Sequence, residues 1–376
     1  NNYVVTEKAD GERYLMIVKD NTPYLMSTNT IVRKTGLKLA DNSLDKTIMD
    51  GELIGDNYYV FDLIYDGIDY RSSNHPITHR INRITEIMKH FQIVPFRDYA
   101  STKQDFNLSS IITFYTKELE KYWTNIKELQ KKTKGLLVTR KLYLIPYGIS
   151  ESEVFAYGDL LWRTSLKGIL PHSIDGIIYT PINAPYLIQA RASELDTIPL
   201  DYKWKPPSHN SIDFYITYDQ ADTGDAIYVI NGSEYKNANL HVGQERKSGE
   251  TPVPFLVNGV PQTAFIKIVN GMARDSEGTV LPDKSVVEFT YDNNTIADGF
   301  KWIAYKYRPD KTASVKRYRR KYGNNTVIAS RIWRSINEPL TEQIIATLAN
   351  PSTFAVEMKR LIEPKSYYQT AVSTAI

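Results

Sequence analysis

Lys8 is the residue whose surroundings ask for chemistry. It follows the apolar run Tyr3-Val4-Val5 and opens the pattern K-x-D-G-x-R, with Asp10, Gly11 and Arg13 ahead of a second apolar run, Tyr14 to Val18. A lysine amine is a covalent nucleophile only when neutral, and its ordinary pKa of about 10.4 keeps it protonated near neutrality. A nucleophilic Lys8 therefore needs desolvation, neighbouring cations or a metal. As structure alone, the hexapeptide reads as a charged hairpin turn in which Gly11 permits the reversal while Asp10, Glu12 and Arg13 stay solvated. Short motifs of this kind recur by chance. Further charged groups stand downstream: Asp50-Gly51-Glu52, Phe61-Asp62, Asp175-Gly176, Lys203 and Lys205 in K-W-K, then Arg308, Asp310 and Lys311 in R-P-D-K. The six histidines show no metal-ligand spacing.

The elements that must position these groups follow from periodicity. A strand meander is expected first, with Tyr14 to Val18 and Tyr24 to Ser27 joined through K-D-N-T-P, where Asn and Pro favour reversal. The stretch T-I-M-D-G-E-L-I-G-D-N-Y-Y-V-F-D-L-I-Y-D-G repeats that pattern about a G-D-N turn. Ile81, Ile84, Met88 and Phe91 share one helical face, as do Leu119, Tyr122, Ile126 and Leu129, with Gly135 placed to stop the second helix. A third helix is expected from Glu151 to Lys167, and strands return at D-G-I-I-Y-T-P and D-Y-K-W-K-P. The prolines of K-W-K-P-P-S-H-N-S mark a boundary. Beyond it, Ile212 to Glu288 alternates short β runs with Gly, Asn and Asp turns, the texture of a small β-barrel. A basic run comes next, and then helical spacing over V-I-A-S-R-I-W-R-S-I-N-E-P-L-T-E-Q-I-I-A-T-L-A-N.

Composition sets the outer bounds. With 376 residues, 42% of them hydrophobic, the chain can bury the cores of two domains. Its 46 Lys and Arg against 43 Asp and Glu leave only +3, so attraction to nucleic acid must be local. The absence of cysteine excludes disulfides and thiolate zinc sites and fits a reducing compartment. No apolar stretch is long enough to span a bilayer and no signal sequence opens the chain, so the expectation is an intracellular protein without a membrane partner. It begins at Asn1, seven residues before Lys8, and reads as a segment of a longer polypeptide.

Taken in order, these motifs resemble those of the covalent nucleotidyltransferases, the mRNA capping guanylyltransferases and ATP-dependent polynucleotide ligases, over nearly the whole chain. D-G-I-I-Y-T-P at Asp175, K-W-K-P-P-S-H-N-S-I-D-F, and Trp302 ahead of Arg308 are similar to the capping branch. The nearest likeness is to the guanylyltransferase module of capping enzymes from large eukaryotic DNA viruses. The family's arginine between the first and third motifs is absent from M-S-T-N-T-I-V, so that either Arg33 substitutes or the contact is missing. The resemblance implies an α+β fold: an ATP-grasp-like nucleotidyltransferase domain of antiparallel sheets with helices at residues 1–209, an OB-fold at 210–324, and a C-terminal helical segment at 325–376 that packs back on the first domain.

It also implies roles. Lys8 would attack the α-phosphorus of GTP, and Lys203 and Lys205 would bind the α-phosphate and lower the pKa of Lys8. Arg13 and Glu52 would hold the ribose, and Phe61 would stack on guanine. Asp175 would bind Mg²⁺ or Mn²⁺. Arg308 and Lys311, on the OB-fold domain, would reach the β and γ phosphates only if the domains close, with Asp10, Gly11, Asp62 and Asp310 in support. The basic run from Lys306 to Lys321, eight cations against one acid, reads either as a solvated loop or as a path for a triphosphate or an RNA 5′ end. The implied activity is mRNA guanylyl transfer: a lysine-GMP intermediate, then transfer to 5′-diphosphate RNA to give the GpppN cap. Triphosphatase and methyltransferase domains would share the polypeptide, and the site of action would be cytoplasmic, in a viral factory or virion. The alternatives are an ATP-dependent ligase adenylating the same lysine and an inactive RNA-binding scaffold.

Overall fold

The computed structural model describes residues 2–71, 75–101, 106–186, 201–247 and 249–362. Two compact units divide the chain. One comprises Asn1–Lys205 with Thr341–Glu363, and the other includes Pro206–Leu340.

In the first unit, strands β1 (Tyr3–Ala9), β2 (Glu12–Lys19), β3 (Thr22–Ser27), β4 (Val32–Lys34), β5 (Ile48–Ile54) and β6 (Asn57–Tyr65) precede helices α1 (Ile77–Met88) and α2 (Leu108–Lys132). β7 (Leu137–Arg140), β8 (Tyr143–Leu144), α3 (Glu153–Leu166), β9 (Ile174–Pro181) and β10 (Tyr202–Trp204) complete the main body. Six strands form one sheet in the order β4-β3-β2-β5-β6-β7, antiparallel except for the β6–β7 pair. Four form another, β10-β9-β1-β8, antiparallel throughout. The β2–β3 reversal is made by Asp20 and Asn21, both at positive φ, and Pro23 lies inside β3; Asn and Asp tolerate the left-handed region that a tight hairpin demands. α1 and α2 bury the apolar faces that their spacing predicts, Ile81, Ile84 and Met88 on one and Leu119, Tyr122 and Ile126 on the other.

Three motif glycines serve close approach, since none has positive φ. A Cβ on Gly11 would lie 2.7 Å from the Leu53 carbonyl oxygen, one on Gly51 2.4 Å from the Tyr58 ring, and one on Gly176 1.9 Å from the Trp204 carbonyl oxygen. The role given to Gly11 in chain reversal is thus corrected: it lets the chain pass tightly over β5.

In the second unit, an antiparallel sheet runs in the order 272–273, 263–269, 233–246, 211–218, 285–291, 302–307 over a core that includes Ile212, Phe214, Phe289 and Trp302. Here the expected boundaries shift. Helix α4 (Pro309–Tyr318) grows directly out of R-P-D-K, with Pro309 at the first turn, where its missing N–H costs nothing. The long helical spacing after residue 326 is two helices, α5 (Thr326–Asn337) and α6 (Glu342–Ala349), because Pro339 separates them. α5 packs Ala329 and Ile336 into the second unit's core, whereas α6 packs on α3 and α7 (Pro351–Ile362) sets Phe354 beside Phe155 in the first unit. The segment beginning at 325 is therefore shared between the units, since the apolar face of α5 is complementary to the sheet and that of α6 to α3.

Candidate functional site

The register of β1 on β9 places Lys8 opposite Gly176, at a bulge between Lys8 and Ala9. A bulge bends the strand and re-aims its side chains. Lys8 Nζ consequently donates to both oxygens of Asp175, at 2.7 and 2.8 Å, and Lys205 Nζ lies 2.8 Å from the same carboxylate. Burial opposes ionisation of Asp175, but the hydrogen bonds from Lys205 and Lys8 outweigh it and hold the carboxyl below its ordinary range. Lys203 on β10 and Lys205 just past its end flank Trp204, whose buried ring meets Trp162 edge-on at 5.2 Å. One packed indole thus fixes the face from which two cations project.

A cavity of about 380 Å³ opens beside Lys8, within the usual span for small-molecule sites. Lys8, Arg13, Glu52, Phe61, Asp62 and Lys203 all line it, so six of the residues picked out in the sequence converge there. Arg13 is opposite Glu52 in the β2–β5 ladder, yet its guanidinium grips Asp50, with Nε 3.0 Å from one oxygen and Nη2 2.5 Å from the other. Asp50 is fully buried and also accepts from the Tyr186 hydroxyl at 2.7 Å. The ion pair raises the already high pKa of Arg13 further.

On the opposite side, Asp62 pairs with Arg80 of α1, Nε to Oδ1 at 2.6 Å and Nη2 to Oδ2 at 3.1 Å. Arg80 Nη1 also donates to the carbonyls of His75 and Ala184. Arg80, Lys141, Tyr186 and Asp201 line the cavity without having been singled out in the sequence. Lys141 is buried, which lowers its pKa, with Glu7 and Glu52 pulling it the other way. A signal for one of them exists, an arginine on the apolar stripe of α1. Nothing comparable marks Lys141, Tyr186 or Asp201.

The remaining candidates lie away from the cavity lining. Arg33, on the exposed β4, is absent from the cavity lining; its guanidinium sits 4.8 Å over the Tyr14 ring of β2. Asp10 is exposed and does not line the cavity. Arg308, Asp310 and Lys311 belong to the second unit, where Arg308 Nη1 is 3.1 Å from both oxygens of Asp213, Lys311 pairs with the same carboxylate, and Asp310 lies 3.4 Å from Arg308. Among the described residues no group of three or more His, Asp or Glu could hold a metal by itself, and no helix is long and apolar enough to cross a membrane.

With Arg13 and Arg80 paired to carboxylates, the cavity lining combines Lys8, Lys141 and Lys203 with the Phe61 ring, Ile77, Ile178 and Pro185. Cations thus stand beside aromatic and apolar surface in one cavity. Residues 1–157 match the family described as mRNA capping enzyme, catalytic domain. Over its whole length the chain is 43% identical to a probable mRNA-capping enzyme of Acanthamoeba polyphaga mimivirus, of which it spans 34%. It is 23% identical to the mRNA-capping enzyme subunit alpha of Candida glabrata, covering 90% of this chain and 74% of that protein. The chain belongs to the mRNA capping enzyme family. A solved structure of mycobacterial DNA ligase D complexed with ATP and MES aligns with 82% of this chain and 90% of its own at 15% identity, with a TM-score of 0.37, a likeness too slight to bear on function.

Proposed function

We propose that this chain is an mRNA guanylyltransferase with Lys8 as nucleophile, and that the second unit is its OB-fold domain. The observation that carries the reading is Lys8, held with Lys205 on the Asp175 carboxylate, lining a cavity whose wall also bears Lys203, Phe61, Arg13 and Glu52. The Lys8 amine, having given up a proton, attacks the α-phosphorus of GTP; a P–N bond forms, the bond to the β-phosphate bridge breaks, and pyrophosphate leaves. Asp175 is the acceptor within reach of that proton. Next, a terminal oxygen of 5′-diphosphate RNA attacks the same phosphorus, the P–N bond breaks, and the amine recovers a proton. Lys203 and Lys205 offset charge on the α-phosphate oxygens. Phe61 stacks on guanine, Arg13 and Glu52 address the ribose, and Arg308 and Lys311 bind the departing phosphates.

A divalent ion suits this donor set. Mg²⁺ commonly takes one or two carboxylates together with substrate phosphates, and Asp175 supplies one carboxylate beside the proposed α-phosphate position. Such an ion would neutralise charge developing on phosphate. Triphosphatase and methyltransferase activities, where the RNA end requires them, would come from other parts of a longer polypeptide.

The test uses α-labelled GTP or ATP with Mg²⁺ or Mn²⁺ and scores label on the denatured chain. Acid-labile, alkali-stable label from GTP alone, abolished in Lys8→Arg, is expected; an arginine keeps the charge but does not deprotonate. Label from ATP alone would favour ligase chemistry, and label surviving in Lys8→Arg would remove the nucleophile assignment.

A further inference from the structure

α4 ends in a run of six consecutive exposed residues, Lys316, Arg317, Tyr318, Arg319, Arg320 and Lys321. Elsewhere on the same helix cations are paired, Arg308 and Lys311 with Asp213. Among the described residues none of these five cations has an ion pair, and the Arg317 guanidinium lies 5.3 Å over the Tyr318 ring. Cations at a helix C-terminus are favourable to the helix, and that accounts for Lys316 and Arg317. It does not account for Arg320 and Lys321, which follow the helix, nor for the backbone they stand on. Arg319 caps α4 at φ 52° and Lys321 has φ 63°. At such positions glycine or asparagine is usual.

The loop is also firmly anchored. Glu250 accepts from the backbone N–H groups of Lys321, at 2.7 Å, and Tyr322, at 3.1 Å. The Tyr322 ring is buried with Val286 and Val315, and Asn324 N–H donates to the Asp213 carbonyl at 2.7 Å. The one carboxylate at this loop is thus spent on the main chain, leaving the cationic side chains outward. Two strained residues, a pinned backbone and unpaired charge amount to a display.

We propose that this face binds the acceptor RNA as a single strand, its phosphates held by Arg317, Arg319, Arg320 and Lys321 and one base stacked on Tyr318, which is 61% exposed. Guanidiniums suit phosphates through bidentate hydrogen bonds, and an exposed aromatic among them is the combination that single-stranded nucleic acid uses. A purely acidic protein partner would have no use for the ring. The inference rests on the proposed transfer of GMP to RNA, but it concerns a surface that the first chemical step does not need.

The experiment measures fluorescence anisotropy of a labelled 5′-diphosphate single-stranded 12-mer RNA on the full chain, without GTP, over a range of salt. Wild type is compared with Arg317→Ser/Arg319→Asn/Arg320→Ser/Lys321→Asn, in which asparagine keeps the left-handed positions tolerable, and with the single change Tyr318→Ala. Each phosphate contact contributes about 0.7 to the slope of log K against log salt for single strands. Losing four should flatten the slope by up to about 2.8 and weaken binding at 0.1 M salt by up to several hundredfold. Tyr318→Ala should weaken binding without changing the slope, and polyglutamate should compete poorly. Lysine-GMP formation should stay at the wild-type level in all variants, while transfer to RNA slows at subsaturating RNA. Unchanged RNA affinity and slope would overturn the proposal. So would loss of adduct formation with RNA binding intact, which would assign the cations to the nucleotide step, and so would equal competition by polyglutamate with no effect of Tyr318→Ala. Failure of wild type to form any adduct would instead sink the guanylyltransferase reading, and is scored separately.

Discussion

The Asp62–Arg80 pair puts a number on how the cavity wall is held. Arg80 is 1% exposed and Asp62 13%. Burial raises the Asp62 pKa despite two hydrogen bonds and an opposite charge from Arg80, so desolvation of the carboxylate outweighs what its partner returns. Such a pair is worth little against an apolar replacement, yet halving it strands a buried charge at a cost of about 3–5 kcal/mol. Asp62→Asn should lie near the lower end, about 3 kcal/mol, because Arg80 keeps the carbonyls of His75 and Ala184. Arg80→Met leaves a carboxyl free to take up a proton. With its folded pKa raised further, that variant gains relative stability below the unfolded pKa and loses it as pH rises through the folded one. Asp62→Leu/Arg80→Met should cost only about 2 kcal/mol, the lower end for two carbonyls each left without a donor, giving a coupling of several kcal/mol between the sites. Native-state hydrogen exchange of amides in β6 and α1 reads this unit alone. Single variants within 1 kcal/mol of wild type, or a double variant equal to the sum of its parts, would refute the reasoning.

Two further outcomes follow from neighbouring groups. Asp50→Asn should raise the KM for GTP about tenfold, the charged hydrogen bonds to Arg13 being discounted because that side chain is 57% exposed; steady-state kinetics showing an unchanged KM in a folded variant would mean that Arg13 needs no positioning. His172 is buried beside Glu7, 3.9 Å away, and burial with the nearby Lys141 charge lowers its pKa to about 4. Relative to an unfolded value of about 6.5, its contribution to stability is complete above pH 6.5 and is lost as pH falls toward 4, by up to about 3 kcal/mol. Glu7 opposes this, since burial raises its pKa, so the slope should be shallower than His172 alone would give. Denaturant unfolding between pH 4 and 7 should show that loss in wild type and a smaller one in His172→Phe; equal slopes would exclude the imidazole as its source.

What the sequence made legible were groups on strong local patterns. Glu52, Phe61 and Lys203 lie on alternating strands and face the cavity, and the positions of β2, β5, β6, β9 and β10 follow from β-rich runs between turns. Helix α4 was missed because only Thr312 and Val315 are buried along it, too few apolar residues to show a 3.6 period. Arg80 was missed because a charge within an apolar stripe announces burial but not its partner, which lies 18 residues upstream across a strand.

The pairing of the cations was least legible of all. Lys8 and Lys205 share Asp175, Arg13 holds Asp50, and Arg308 and Lys311 share Asp213. Motif order brings such residues to mind as free charges awaiting phosphate, whereas strand register and a single bulge decide that each one rests on a carboxylate. That arrangement has a consequence for binding. Lysine and arginine side chains carry about 2 kcal/mol of rotamer entropy, and a resting ion pair has already restricted them. An incoming phosphate must displace a carboxylate, which costs Coulomb energy, but it meets cations whose ordering is largely complete. On the proposed mechanism Asp175 stays beside Lys8 to take its proton, so the carboxylate contact that an incoming phosphate would displace is the one at Lys205.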